Sequence, residues 1–232
     1  LRQDTVEYLM TDIPLYDGLK EDIRLVGDLE RLISKIALRR VNPRELLHLS
    51  SAMKSVAHIK QKCSEVDCKP IQKLAEQLFL CENFVSLIDQ HIAEDAPVVL
   101  SKGGVLKMGV DAELDEYISL SNNAKDFLLD LKNREAEKSG ISSLKLAFNN
   151  VFGYYLEVTN SHKYKVPEEW IRKQTLVNAE RYITPELKVF EEKILAADDK
   201  IGEIEGRIYA ELIEKLNVYI TNVQHNARVI AK

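Results

Sequence analysis

The sequence predicts a mainly α fold with one small β-rich insertion, and three observations carry that prediction. Apolar residues recur at spacings of three and four through most of the chain, as they do on helices that bury one face. Glycine and proline are sparse, 9 and 6 among 232 residues, which suits long helices. Between residues 141 and 184 the pattern changes to alternation, with β-branched and aromatic side chains, as in strands. The expected architecture is a helical core bundle, two long antiparallel helices, and a β-rich piece at their far end.

Taken in order, Ile23, Val26, Leu29, Ile33 and Ile36 predict one amphipathic helix from Asp17 to about Leu38. Asn42-Pro43-Arg44-Glu45 starts the next: Asn42 caps, Pro43 takes the first helical position and Glu45 closes a capping box. A third helix is expected from near Pro70, carrying Leu74, Leu78, Cys81, Val85 and Ile88. Residues 98–111, with Gly103-Gly104 in the middle, read as a short hairpin or an extended connector. Asp111 then caps a helix of about 28 residues, roughly 40 Å long, which Gly140 ends.

Leu144–Phe148 and Tyr154–Thr159 alternate as two strands, and Gln174–Tyr182 is expected to add a third. Thr184-Pro185-Glu186 is a helix start with a capping hydroxyl, Pro at the first position and an acid near the positive dipole end. Leu187, Phe190, Ile194, Ala197, Ile201, Ile204 and Ile208 follow as a heptad seam. Beyond Ile208 the seam steps by four to Leu212 and Leu216, a phase shift that a uniform coiled coil does not sustain. This return helix is expected to run for about 40 residues, roughly 60 Å.

Composition narrows the function classes. Hydrophobic content of 45% and charged content of 30% describe a globular chain. The net charge is −5, so a nucleic-acid site must be local. No apolar run approaches the ~18–20 residues of a membrane span. Cys63, Cys68 and Cys81 make an odd count, which fits a reducing compartment better than a disulfide framework. The start at Leu1 rather than Met reads as a piece of a longer protein.

Charge is divided locally. Residues 111–140 hold eight acids against four bases, and 186–215 nine against five. Residues 141–185 reverse the balance, with six bases (Lys145, Lys163, Lys165, Arg172, Lys173, Arg181) against four acids. Lys163, Lys165, Arg172, Lys173, Gln174, Thr175 and Asn178 are the residue types that neutralise or hydrogen-bond phosphates. A small positive excess over 45 residues also fits an ordinary solvated surface.

Other chemistries find less support. His58, Cys63, Cys68, Cys81 and His91 lack the closely spaced Cys pair of structural zinc sites, and Cys81 reads as a small hydrophobe on a helix face. Glu191, Glu192, Asp198 and Asp199 fall on the outer face of the heptads, where solvated charge is the default. No nucleophile–base pair stands out. Phe152, Tyr154, Tyr155 and Trp170 read as the core of the insertion, with base stacking as the alternative.

Residues 148–194 carry a pattern of a known kind. Phe148, Asn149, Val151, Gly153, Tyr154 and Tyr155 precede Gln174, Thr175, Leu176, Asn178, Ala179, Glu180, Arg181 and Tyr182, then Pro185, Glu186 and Leu187. This resembles the clamp region of bacterial MutS DNA mismatch-repair proteins. Residues 103–116 resemble the passage that opens that family's lever helix, and 27–46 its core passage. The resemblance implies a helical core over 1–110, an outgoing lever helix over 111–140, a β-rich clamp over 141–184 and a returning lever helix over 185–232.

It further implies that the clamp touches the backbone of double-stranded DNA without reading sequence, through Arg172, Lys173, Gln174, Thr175 and Asn178. Many relatives carry Lys where this chain has Val177, which removes one phosphate contact. A second MutS subunit and a MutL-type partner are implied, as is a bacterial cytoplasmic, nucleoid-associated setting with no membrane. The chain has neither a Gly-x-x-x-x-Gly-Lys-[Ser/Thr] phosphate loop nor the family's Phe-x-Glu wedge. It is therefore expected to be no enzyme itself and to hold no cofactor, with ATP and Mg belonging to the full-length ATPase. The expected role is to couple DNA contact to that ATPase; the alternative is a coiled-coil interaction scaffold.

Overall fold

The computed structural model describes residues 2–149, 151 and 153–232. These form two compact units, Leu1–Val110 with Ile204–Lys232, and Asp111–Glu203. Secondary structure is mainly helical, with one four-stranded antiparallel sheet.

In the first unit, α1 (Arg2–Thr11) leads into α2 (Ile13–Val26) and α3 (Leu29–Ala37). The single helix expected over 17–38 is thus two. Gly27 takes φ 59°, open to a residue without Cβ, and the Asp28 carboxylate accepts from the Arg31 N–H at 3.0 Å. The new direction buries Leu29, Leu32, Ile33 and Ile36, while Ile23 stays 46% exposed.

Helix α4 (Pro43–Glu65) starts as expected. Asn42 Oδ1 accepts from the Glu45 N–H at 3.0 Å, and the Glu45 carboxylate accepts from the Asn42 N–H at 3.1 Å.

The helix expected from Pro70 through Ile88 is also broken, into α5 (Lys69–Glu76) and α6 (Glu82–His91). Cys81 sits between them at φ 49°, so it lies on no helix face. The break survives because Asn226, fully buried, accepts from the Phe79 N–H at 2.8 Å and donates to the Phe79 carbonyl at 2.7 Å. A partner 147 residues away replaces bonds that a continuous helix would have made locally.

Of the two expectations for residues 98–111, the segment is a connector and not a hairpin, with a 3₁₀ turn at Leu100–Lys102 and an isolated bridge between Ile92 and Leu106. The buried Glu205 carboxylate accepts from the N–H groups of Val105 and Leu106 at 2.8 and 3.1 Å.

Helix α7 (Ala112–Ser139) has the expected 28 residues, between the Asp111 cap and Gly140 at φ 65°. Helix α8 (Pro185–Asn217) begins with the Leu187 N–H on Thr184 Oγ1 at 3.0 Å. It runs for 33 residues rather than about 40, and a turn at Val218–Tyr219 separates it from α9 (Ile220–Ile230). The seam's phase shift has a packing cause. Within the first unit, Ile204, Glu205, Ile208, Tyr209, Leu212, Ile213 and Leu216 are all buried. That is a broad stripe for several neighbours, where a two-helix seam needs a narrow one.

In the second unit, α7 and the first part of α8 run antiparallel. Ser121 donates to Asp198 at 2.8 Å, Phe127 stacks on Phe190 with centroids 3.7 Å apart, and Arg134 pairs with Glu186 at 2.6 Å. The sheet follows α7 and precedes α8 in the chain. Its strands are β1 (Lys145–Asn149), β2 (Gly153–Thr159), β3 (Ile171–Thr175) and β4 (Ala179–Ile183), in the order β1-β2-β4-β3.

The third strand expected over 174–182 is therefore a hairpin. It turns at Leu176–Asn178, where the Leu176 N–H donates to the Ala179 carbonyl at 2.8 Å. Leu128, Leu131, Ile141, Leu144, Leu156, Val158, Trp170, Leu187 and Ile194 form one core between sheet and helices. Trp170 and Tyr155 belong to that core; the reading made for Phe152 lies outside the described residues.

Candidate nucleic-acid interface

Among the described residues strand β3 is an edge strand, paired with β4 alone, so one row of its backbone N–H and C=O groups faces away from the sheet. Its pairing explains what the side chains can do. Arg172 lies opposite Tyr182, yet Gln174 lies opposite Arg181. Two steps on β3 match one on β4, so Lys173 is the extra residue of a β-bulge. Adjacent residues of β4 face opposite sides of the sheet. Arg172 and Gln174, two apart and expected to share a face, therefore point to opposite faces.

On one face Arg172 and Thr175 join Glu180 and Tyr182. Glu180 is buried, with one oxygen accepting from the Tyr182 hydroxyl and the other from Arg172 Nη1 at 3.5 Å. Burial first, then the neighbouring Glu180 carboxylate, push the Tyr182 phenol up to about 12, so it stays protonated and donates. On the other face, Gln174 Oε1 accepts from Arg181 Nη1 at 2.9 Å. Arg181 also binds Glu157 at 3.1 Å and lies 4.3 Å over the Tyr155 ring. Arg181 counts toward the local positive charge, but its guanidinium is occupied within the sheet.

The remaining predicted residues divide the same way. Asn178 sits exposed in the β3–β4 turn. Lys163 and Lys165 lie on a 3₁₀ segment, Asn160–Lys165. The start of that segment is tied to the turn: the Asn160 N–H donates to the Asn178 carbonyl at 3.1 Å, and Asn160 Nδ2 to the Val177 carbonyl at 2.8 Å. Lys165 points elsewhere, its ammonium donating to the Gly140 carbonyl at 2.9 Å. There it complements the negative end of α7. Lys163 and Lys173 are exposed, and neither side chain is engaged by a described residue.

Sequence reasoning missed three members of this surface. Asn160 gives no local signal, because its partners are 17 and 18 residues away. Tyr164, 78% exposed between two lysines, was legible as an aromatic within a basic run. Glu180 reads as an ordinary strand acid until the pairing buries it. Val177, at the tip of the turn, is 91% exposed.

Among the described residues, no three His, Cys, Asp or Glu side chains gather as metal ligands would. Cys63 and Cys68 are buried free thiols, and burial pushes the Cys63 and Cys81 thiols up. Among the described residues no helix is long and apolar enough to cross a membrane.

A family profile described as MutS family domain IV matches residues 109–200. The chain is 50% identical over 231 residues to the DNA mismatch repair protein MutS of Bacteroides thetaiotaomicron, covering 100% of this chain and 27% of that protein. The protein of the same name from Cytophaga hutchinsonii is 48% identical over 231 residues, with the same coverage. That of Porphyromonas gingivalis is 45% identical over 230 residues, covering 99% of this chain and 26% of the relative. The chain thus spans about a quarter of the length of the curated relatives it matches.

Proposed function

Since the chain belongs to the MutS family, we propose that it is the core, lever and clamp section of a mismatch-repair protein, and that its sheet grips duplex DNA by the backbone. The observation that carries this reading is the exposed edge strand β3 with its adjoining turn and 3₁₀ segment. It presents Arg172, Lys173, Thr175, Asn178 and Lys163 around outward-facing backbone donors. These side chains and donors suit phosphate oxygens, and contact with the backbone rather than the bases is part of the proposal. Affinity is electrostatic and falls as salt rises.

The test is charge reversal at the two unengaged lysines, Lys163→Glu with Lys173→Glu, in the full-length protein. Retention on a homoduplex is expected to drop. Val177 supplies the converse test. Its side chain is 91% exposed at the turn, so Val177→Lys adds a free cation without disturbing packing. One more neutralised phosphate steepens the slope of log K against log salt by about 0.9, and tightens binding roughly eightfold near 0.1 M salt. An unchanged slope in a salt titration means the turn does not meet the duplex.

The coiled-coil scaffold reading has less support. Leu187, Ile194, Ala197 and Ile201 of the seam are already buried, and the first two share a core with Ala124, Leu128 and Leu131 of α7. Paired helices of this kind transmit rigid-body motion, and coupling of the clamp to an ATPase elsewhere in the full-length protein is part of the proposal. Inserting two glycines after Ala197 turns the following helix by about 200°. ATP-triggered release of full-length protein from DNA is expected to be lost; release at the normal rate refutes the coupling.

A further inference from the structure

We infer that Glu180 is a positioning residue: a buried carboxylate that holds the Arg172 guanidinium at the sheet edge, ready for a backbone phosphate. The inference rests on the proposal that Arg172 meets DNA, and it adds the group that aims it. Glu180 is 6% exposed, and among the described residues Arg172 is the one cation that reaches it. Its other partner, the Tyr182 hydroxyl, is neutral. A buried carboxylate that loses its counter-ion is strongly destabilised. Arg172 therefore does not leave Glu180 when a phosphate arrives.

It does not need to. One of five N–H donors faces Glu180, and the Arg172 side chain remains 60% exposed, so the rest of the fork can bind a second anion. The bulge at Lys173 makes this possible. With regular pairing outward from Gln174 and Arg181, Arg172 would face away from Glu180. The extra residue brings it opposite Tyr182, on the face where Glu180 lies. The bulge and the buried acid together place a long, rotamer-rich side chain before the ligand arrives.

This gives a sign that simple electrostatics reverses. Removing a negative charge beside a DNA-binding surface should tighten binding. Removing a positioning group should weaken it, by about two- to tenfold, the cost of ordering one rotamer-rich side chain on binding. The experiment measures the Kd of full-length protein for a fluorescent homoduplex, with folding checked by circular dichroism melts. Glu180→Gln is expected to weaken binding by that factor, and Glu180→Leu, which fills the site with an apolar group, to do the same.

Tyr182→Phe loosens the same buried cluster but leaves the carboxylate on Arg172, so its affinity is expected at the wild-type level. In an Arg172→Ala background, Glu180→Gln is expected to change nothing further. Unchanged or tighter binding by Glu180→Gln overturns the inference. So does equal weakening by Tyr182→Phe, which would assign the effect to stability. If Arg172→Ala itself binds as wild type, the assignment of Arg172 to the duplex fails instead, and the two failures are told apart.

Discussion

Reversing Lys163 and Lys173 together is expected to weaken retention of the full-length protein on duplex DNA by roughly 10²-fold near 0.1 M salt, and to flatten the salt slope by about 1.8. The size follows from counterion release. Each neutralised phosphate contributes a factor of roughly eight at that salt, so two lost contacts account for most of the effect and new repulsion adds the rest. These lysines are the right pair because both are exposed and unengaged, so their reversal strands no partner. Arg172→Glu would confuse the result, since it sets a second carboxylate against the buried Glu180. Retention measured against salt in the double variant decides the matter. A wild-type slope would remove the sheet from the DNA interface and revive the scaffold reading.

The largest stability effect is expected at Trp170. It is the one tryptophan of the chain, 5% exposed in the core of the second unit. Its Nε1–H donates to Glu135 Oε2 at 3.2 Å, joining the segment before β3 to α7. Trp170→Ala opens a cavity and leaves a buried carboxylate oxygen without its donor. The first effect alone costs about 3–5 kcal/mol. Trp170→Phe keeps most of the packing and loses the donor, so it is expected to cost about 1–3 kcal/mol. Urea unfolding followed by far-UV circular dichroism separates the two. Equal losses for both variants would mean that the hydrogen bond, not the ring, carries the effect.

What could be read from the chain alone was whatever neighbouring residues settle between themselves. The start of α4 lies in four consecutive residues, Asn42 to Glu45, whose side chains and backbone satisfy each other. The limits of α7 lie in Asp111 and Gly140, and the start of α8 in Thr184 and Pro185. The seam from Leu187 to Ile201 is a periodicity, with Leu187, Ile194, Ala197 and Ile201 buried and Phe190 partly buried. The exposed cations of the candidate interface, Lys163, Arg172 and Lys173, were likewise recognisable by type and position.

Tertiary structure decided the features that depend on distant partners. Asn226 stabilises the break between α5 and α6 through Phe79, where periodicity alone predicts a continuous helix. Pairing with β4 turns one expected strand into a hairpin and puts a bulge at Lys173. That bulge separates Arg172 from Gln174 and joins Arg172 to Glu180; Arg181 and Lys165, cations by type, are spent on Glu157 and Gly140. Alternation assigns sides within a strand, but register between strands decides which charges meet, and register is a property of the folded sheet.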